Sequence, residues 1–273
     1  MTPPWLDIVR GEAPLIVSIP HAGDQLCGLE DRLISPWLAR KDADWWLPRL
    51  YDFAAGLGAT VIATRISRTV IDMNRDPSGA SLYPGQATTG LCPIETFDGE
   101  ALYRDGQAPG AAETEYRLQA YHAPYHAALQ DEIERLRMRR GRVALYEAHS
   151  IRSRIPRLFG GELPQFNIGT NGGQSCDPAL TRAVEGLCDR SGGSRVTDGR
   201  FKGGWTTRRY GDPDRGVHAL QMELACRGYM DEPDPPTPDT WPAPYLAEGA
   251  APLRATLIDV LTACLSFARS PDR

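Results

Sequence analysis

The chain has 273 residues, 41% hydrophobic and 24% charged, a composition that suits one large α/β domain and excludes a fibrous or disordered chain. Its 30 basic and 35 acidic side chains leave a formal net charge of −5, which argues against nucleic acid and anionic membrane as partners, since both select basic surfaces. Six scattered cysteines without CxxC spacing exclude a zinc knuckle and a disulfide framework, and the start lacks the basic and apolar regions of a leader. No stretch reads as the roughly 18–20 apolar residues of a membrane span, so a cytoplasmic protein is expected.

In chain order, Pro14–Pro20 reads as a short buried strand that stops at the turn Pro20-His21-Ala-Gly23. A helical pattern runs from about Asp42 to Leu57 with Gly58 as its C-cap, followed by a second strand, Ala59–Arg65. Val70–Met73 reads as a short extended segment, and residues 76–112 as a long irregular stretch of the kind that often carries function. Residues 113–139 form the longest helical pattern, with Pro124 as a kink or boundary. Val143–Tyr146 is a third strand, ending at Glu147-Ala-His149-Ser150, and residues 151–176 are irregular again. Asp177-Pro178 has the form of an N-cap followed by proline at the first helical position, opening a helix to about Cys188. Val217–Leu224 is a fourth strand whose alternation puts Leu220, Met222 and Leu224 on one face and Gln221 and Glu223 on the other. A proline-rich connector, 233–244, leads to an amphipathic helix over about 244–268. Strands alternating with helices predict a single α/β domain over residues 1–273, with a mixed, mostly parallel sheet flanked by helices.

In such sheets ligands collect beyond the carboxyl ends of the strands. His21 and His149 each follow an apolar strand, and Glu223 lies near the end of another. A catalytic zinc site takes three ligands from histidine and carboxylate and leaves one position open. The third ligand is read as Asp44, with Asp42 as the alternative and Asp24 offering a local His-x-x-Asp spacing; hydrogen-bonded structural histidines are the competing reading. His122 and His126, four apart around Pro124, are read as structural, and His218 as either a pocket residue or a strand-end hydrogen-bonder. No Gly-x-Ser-x-Gly elbow, His-Glu-x-x-His helix, Walker A loop or dinucleotide fingerprint occurs. Lysine occurs only at Lys41 and Lys202.

Ten blocks stand out: Ser18-Ile-Pro-His-Ala-Gly23, Asp42-Ala-Asp-Trp45, Ser67–Arg75, Ser81–Gly85, Tyr121–His126, Ala148–Arg152, Leu158–Gly161, Asn167–Thr170, Gly199–Gly204 and Gln221–Leu224 with Tyr229-Met230. Taken together, they resemble the N-formylglutamate deformylase (N-formylglutamate amidohydrolase) family. They occur in the family's order over about residues 14–232. The resemblance implies hydrolysis of N-formyl-L-glutamate to formate and L-glutamate, the last step of a histidine degradation route, and a fold similar to the zinc carboxypeptidases and cell-wall amidases (phosphorylase/hydrolase-like). By that analogy His21, His149 and Asp44 (or Asp42) would hold a divalent metal, Zn2+ by preference, and Glu223 would be the general base. Asn74-Arg75 resembles the pair that grips a substrate carboxylate. The relatives more often use glutamate as the acidic ligand, and Trp46 stands where a histidine was expected.

A formamide of glutamate carries two carboxylates, and arginine binds carboxylate through its planar fork. Arg75, Arg68 and Arg152 are the leading candidates for this role, with Lys202 and Arg208 behind them. Other readings are another N-acyl amino-acid amidohydrolase, a carboxypeptidase-like enzyme, and a non-catalytic binder of an acidic metabolite.

Overall fold

The computed structural model describes residues 2–81 and 85–270; the centre of the Ser81–Gly85 block, residues 82–84, lies outside them. The apolar runs form the middle of a seven-stranded sheet made of β1 (Leu6–Val9), β2 (Leu15–Ile19), β3 (Thr60–Thr64), β4 (Val143–Ile151), β5 (Phe166–Gly169), β6 (Arg195–Thr197) and β7 (Val217–Ala225). Across the sheet the order is β1-β3-β2-β4-β7-β5-β6. β2 runs parallel to β3 and β4, and β4 parallel to β7. Only β1 on β3 and β5 on β7 are antiparallel, so the mixed, mostly parallel sheet is as expected.

The helices are α1 (Leu38–Lys41), α2 (Leu47–Leu50), α3 (Ala111–Arg117), α4 (Ala123–Arg140), α5 (Pro178–Arg190), α6 (Trp205–Tyr210) and α7 (Ala247–Arg269). Strand alternation divides their packing. Leu15, Val17, Tyr146, Ala148, Met222 and Leu224 meet α2, α5 and α7 on one face, while Ile16, Leu145 and Ala219 meet Tyr125, Leu129 and Ile133 of α4 on the other. α7 is long and apolar enough to pass a membrane-span test by composition, but Leu257, Val260, Leu261 and Cys264 are buried in the core. Asp177 caps α5 as read, its side chain accepting from the Ala179 N–H at 2.6 Å. The second face decides function: α4 covers its amino half, and at the carboxyl half the side chains of Glu147, His149, Gln221 and Glu223 replace the apolar ones.

One expectation is corrected. Residues 42–57 are not one helix but α2 followed by a 3-10 segment, Asp52–Leu57, and Trp46 sits in the left-handed region at φ 66°. Contacts remote in sequence override the local propensity. The Asp44 N–H donates to the His21 carbonyl at 2.9 Å, and the Trp46 Nε1–H donates to the Ala243 carbonyl at 2.9 Å. Val70 and Met73 lie in turns, and Ile71 and Asp72 between them belong to no regular element. Pro124 marks a boundary, as read: the chain widens into a π turn, Leu118–His122, and α4 begins at Ala123 with Pro124 in its first turn. A π turn absorbs a backbone donor that proline cannot supply.

That π turn stacks His122 over His126, which hold the loop beneath the site, as the structural reading expected. His122 Nε2 lies 3.1 Å from the Arg75 carbonyl and His126 Nε2 lies 2.8 Å from the Met73 carbonyl. Burial, reinforced by His122, pushes the His126 imidazole down to about 3. The unfolded chain, titrating near pH 6.5, therefore binds a proton that the native state refuses, and stability falls as pH drops from about 6.5 towards 3. His126→Gln removes this dependence. Urea midpoints should show the deficit of the variant relative to wild type shrinking by up to about 2 kcal/mol between pH 7.5 and 5; parallel losses in both proteins would refute the assignment.

Candidate active site

β2 ends immediately before Pro20-His21, and the loop before α2 returns Asp44 beneath it. β4 extends to Ile151, so His149 lies within the strand rather than past its end, opposite Glu223 in the β4–β7 register. These elements bring His21, Asp44 and His149 together, all buried, with candidate ligand atoms within 4.8 Å of one another. His149 Nδ1 is 3.1 Å and His21 Nδ1 3.8 Å from Asp44 Oδ2, and the two rings are 4.8 Å apart. Both imidazoles thus present the same nitrogen to one carboxylate oxygen.

Behind each ring stands a second carboxylate. His21 Nε2 is 2.7 Å from Asp72 Oδ1, and His149 Nε2 is 3.5 Å from Glu147 Oε1. Glu147 Oε2 accepts from the Thr207 hydroxyl at 2.9 Å, whereas Oε1 and His21 Nδ1 have no hydrogen-bond partner among the described residues. A buried polar atom left unpaired is costly, and a cation held by the two Nδ1 atoms and Asp44 would satisfy His21. The donor set of two imidazoles and one carboxylate, with outer carboxylates fixing the tautomers, fits a divalent ion.

The electrostatics agree with a site built for charge. Burial opposes charging His149, but Asp44 and Glu147 outweigh it and raise the imidazole to about 10; metal binding at Nδ1 would displace that proton. Burial, with Arg68 adding to it, holds His21 below its ordinary value against the pull of Asp72 and Asp44. Burial also pushes the Glu223 carboxyl up to about 8; His149 and Arg68 oppose the shift, and Asp44 and Glu147 add to it. A carboxyl that titrates near neutrality can both take and return a proton.

Above these groups opens a small cleft. His21, His149 and Glu223 form its floor, Arg68, Arg75 and Arg200 supply positive charge, and Phe97 and Phe201 supply apolar wall. The Arg68 guanidinium lies over the Phe97 ring at 4.6 Å, and Nη2 donates to Asp72 Oδ2 at 2.7 Å. Arg75 donates from Nε to the Thr89 carbonyl at 2.9 Å.

Other sequence candidates fall elsewhere. Asp42 accepts from the Phe97 N–H at 2.6 Å and faces Arg152 at 3.3 Å, outside the His-Asp-His group. Arg152 is taken up by Asp42 and by Asp98 at 2.6 Å and does not line the cleft. Lys202 is exposed and Arg208 donates to the Gly203 carbonyl; neither lines the cleft. Asn74 lines it, but its amide is engaged, with Nδ2 3.1 Å from His149 Nε2 and Oδ1 accepting from the Thr206 N–H at 2.9 Å. Asp24 is exposed, and His218 accepts from the Asp177 N–H at 3.1 Å, a strand-end hydrogen bond. Sequence reasoning missed Asp72, Glu147, Gln221 and Arg200. The first three could have been found from position: Asp72 lies in the Ser67–Arg75 block, and Glu147 and Gln221 stand two residues before His149 and Glu223 on the same strand face.

The fold and site together define an α/β protein whose buried His-Asp-His group could bind a metal at the floor of a small-molecule cleft. The chain belongs to the N-formylglutamate amidohydrolase family, whose profile matches residues 13–230. It is 45% identical over 264 residues to an N-formylglutamate deformylase of Pseudomonas putida, with 96% of both chains covered. It is 46% identical over 266 residues to the protein of the same name from Pseudomonas aeruginosa, with 97% of both covered. Its fold is similar to the crystal structure of an N-formylglutamate amidohydrolase from Ralstonia eutropha JMP134, with a TM-score of 0.76, 24% identity and 96% of each chain covered.

Proposed function

We propose that the chain hydrolyses N-formyl-L-glutamate to formate and L-glutamate, in the cytoplasm and as the last step of a histidine degradation route, with a divalent metal, zinc by preference, held by His21, Asp44 and His149. The observation that carries the reading is the His-Asp-His group lying beside a buried carboxylate at the floor of an arginine-lined cleft. Family membership and nearly full-length identity to two deformylases support the substrate. The whole chain acts as one catalytic unit, and the pair of imidazoles, one just past β2 and one within β4, is that expected of a zinc carboxypeptidase-like site.

A divalent ion in this position supplies Lewis acidity, which polarises a carbonyl oxygen and makes water nucleophilic near neutral pH. Glu223 takes the proton of the attacking water and delivers it to the departing nitrogen, so that the amine does not leave as an anion. Arg68 and Arg75 hold the substrate carboxylates, and Arg200, at the same cleft, adds a third cation. Holding both carboxylates fixes the formyl carbon over the floor of the cleft.

Formate release from N-formyl-L-glutamate tests this directly. Activity should vanish on exhaustive chelation and return with Zn2+. Full turnover without metal would refute the metal, and preference for N-acetyl or N-succinyl glutamate would refute the formyl assignment.

A further inference from the structure

We infer that Asp72 is a positioning residue that couples the grip on the substrate carboxylate to the orientation of the metal-facing imidazole, an inference that rests on the metal reading above. Asp72 is fully buried and both of its oxygens are in use. Oδ1 lies 2.7 Å from His21 Nε2 and accepts from the Asn74 N–H at 2.8 Å. Oδ2 accepts from Arg68 Nη2 at 2.7 Å and lies 3.8 Å from Arg75 Nη1. One carboxylate therefore touches a candidate metal ligand with one oxygen and two of the three cleft arginines with the other.

The same short turn reaches the other ring. Asn74 Nδ2 is 3.1 Å from His149 Nε2, and Arg75, the next residue, lines the cleft. A group bound by the arginines shifts their share of the Asp72 charge, and Asp72 passes the change to the His21 ring. Outer carboxylates of this kind typically alter metal affinity by about 10–100-fold. Coupling of two ligands through one residue is reciprocal, so an anion in the cleft must tighten the metal by the factor that the metal tightens the anion. Arg68 also approaches Asp44 Oδ1 at 3.9 Å, a weaker route between the same partners.

The probes are zinc ion and glutarate, a dicarboxylate that lacks the formamide. Zinc affinity is measured by competition with a chromophoric chelator, with and without saturating glutarate. In wild type, glutarate should tighten zinc about fivefold or more, at the lower end of ordinary allosteric coupling. Asp72→Asn should weaken zinc by at least about tenfold and bring the glutarate effect close to unity, and KM for N-formyl-L-glutamate should rise as kcat falls. Zinc affinity within about threefold of wild type, or an unchanged glutarate factor, would overturn the inference. Should Asp72→Asn fail to fold, Arg68→Lys decides: it keeps Asp72 and the positive charge but loses the guanidinium bond to Asp72 Oδ2, so the glutarate factor, read at saturating glutarate, should fall, and an unchanged factor overturns the coupling. Wild-type protein that holds zinc no better than His21→Ala would overturn the metal reading and this inference together, whereas normal wild-type binding with an indifferent Asp72→Asn overturns only the coupling.

Discussion

Replacing Glu223 with glutamine is expected to leave the zinc content and the KM for N-formyl-L-glutamate near wild type and to lower kcat by roughly 10²–10⁴-fold, the range for loss of a general acid–base group. The substitution keeps the volume of a side chain that is buried between His149 and Gln221, so packing is preserved. What it removes is a site that can bind and release a proton. The carboxyl is held up to about 8 first by burial, and it lines the cleft beside both imidazoles. An amide in the same place can still donate a hydrogen bond, but it cannot accept the proton of an attacking water. A fall in kcat matched by a fall in kcat/KM would mark an interaction made only in the transition state. A variant that turns over within about threefold of wild type would show that the proton goes elsewhere, since even a modest general base contributes on the order of 10²-fold.

The parts of this arrangement that were legible in the sequence are those fixed locally. His21 could be read because an apolar strand stops one residue before it at a proline, and Glu223 because its strand alternates cleanly. Asp177 announced its helix by being followed by Pro178. The shortest strands were not legible: β1 and β5 have four residues each and β6 three, too short for periodicity to register. The helix expected at 42–57 failed because the pattern of Leu47, Leu50 and Ala54 is real, but tryptophans anchored some 200 residues away in sequence bend the chain before it. The cleft arginines were only partly legible for the same reason. Arg152 and Arg75 look alike in sequence, and only tertiary structure gives one to Asp98 and the other to the cleft. The rarity of lysine drew attention to Lys202, whereas Arg200 in the same block is the residue that faces the site.

The contrast between Asp44 and Asp42 carries the second large effect. Two residues apart, Asp44 buried and Asp42 partly so, they were alternatives for one role, and the fold gives them different partners. Asp44 Oδ2 sits against Nδ1 of both imidazoles and also accepts the Ser150 N–H at 3.2 Å, which ties it to the end of β4. Asp44→Ala should therefore reduce zinc affinity by more than the roughly 100-fold upper range of an outer-residue loss and abolish formate release. Asp42 instead caps the Phe97 N–H and shares Arg152 with Asp98. Asp42→Ala leaves a buried donor unpaired and should lower stability by about 1–3 kcal/mol while zinc affinity stays within a few-fold of wild type. Measuring zinc stoichiometry and urea midpoints on both variants separates the cases. If Asp42→Ala lost the metal and Asp44→Ala retained it, the convergence of the two Nδ1 atoms on Asp44 would have no bearing on metal binding, and the ligand set proposed here would be wrong.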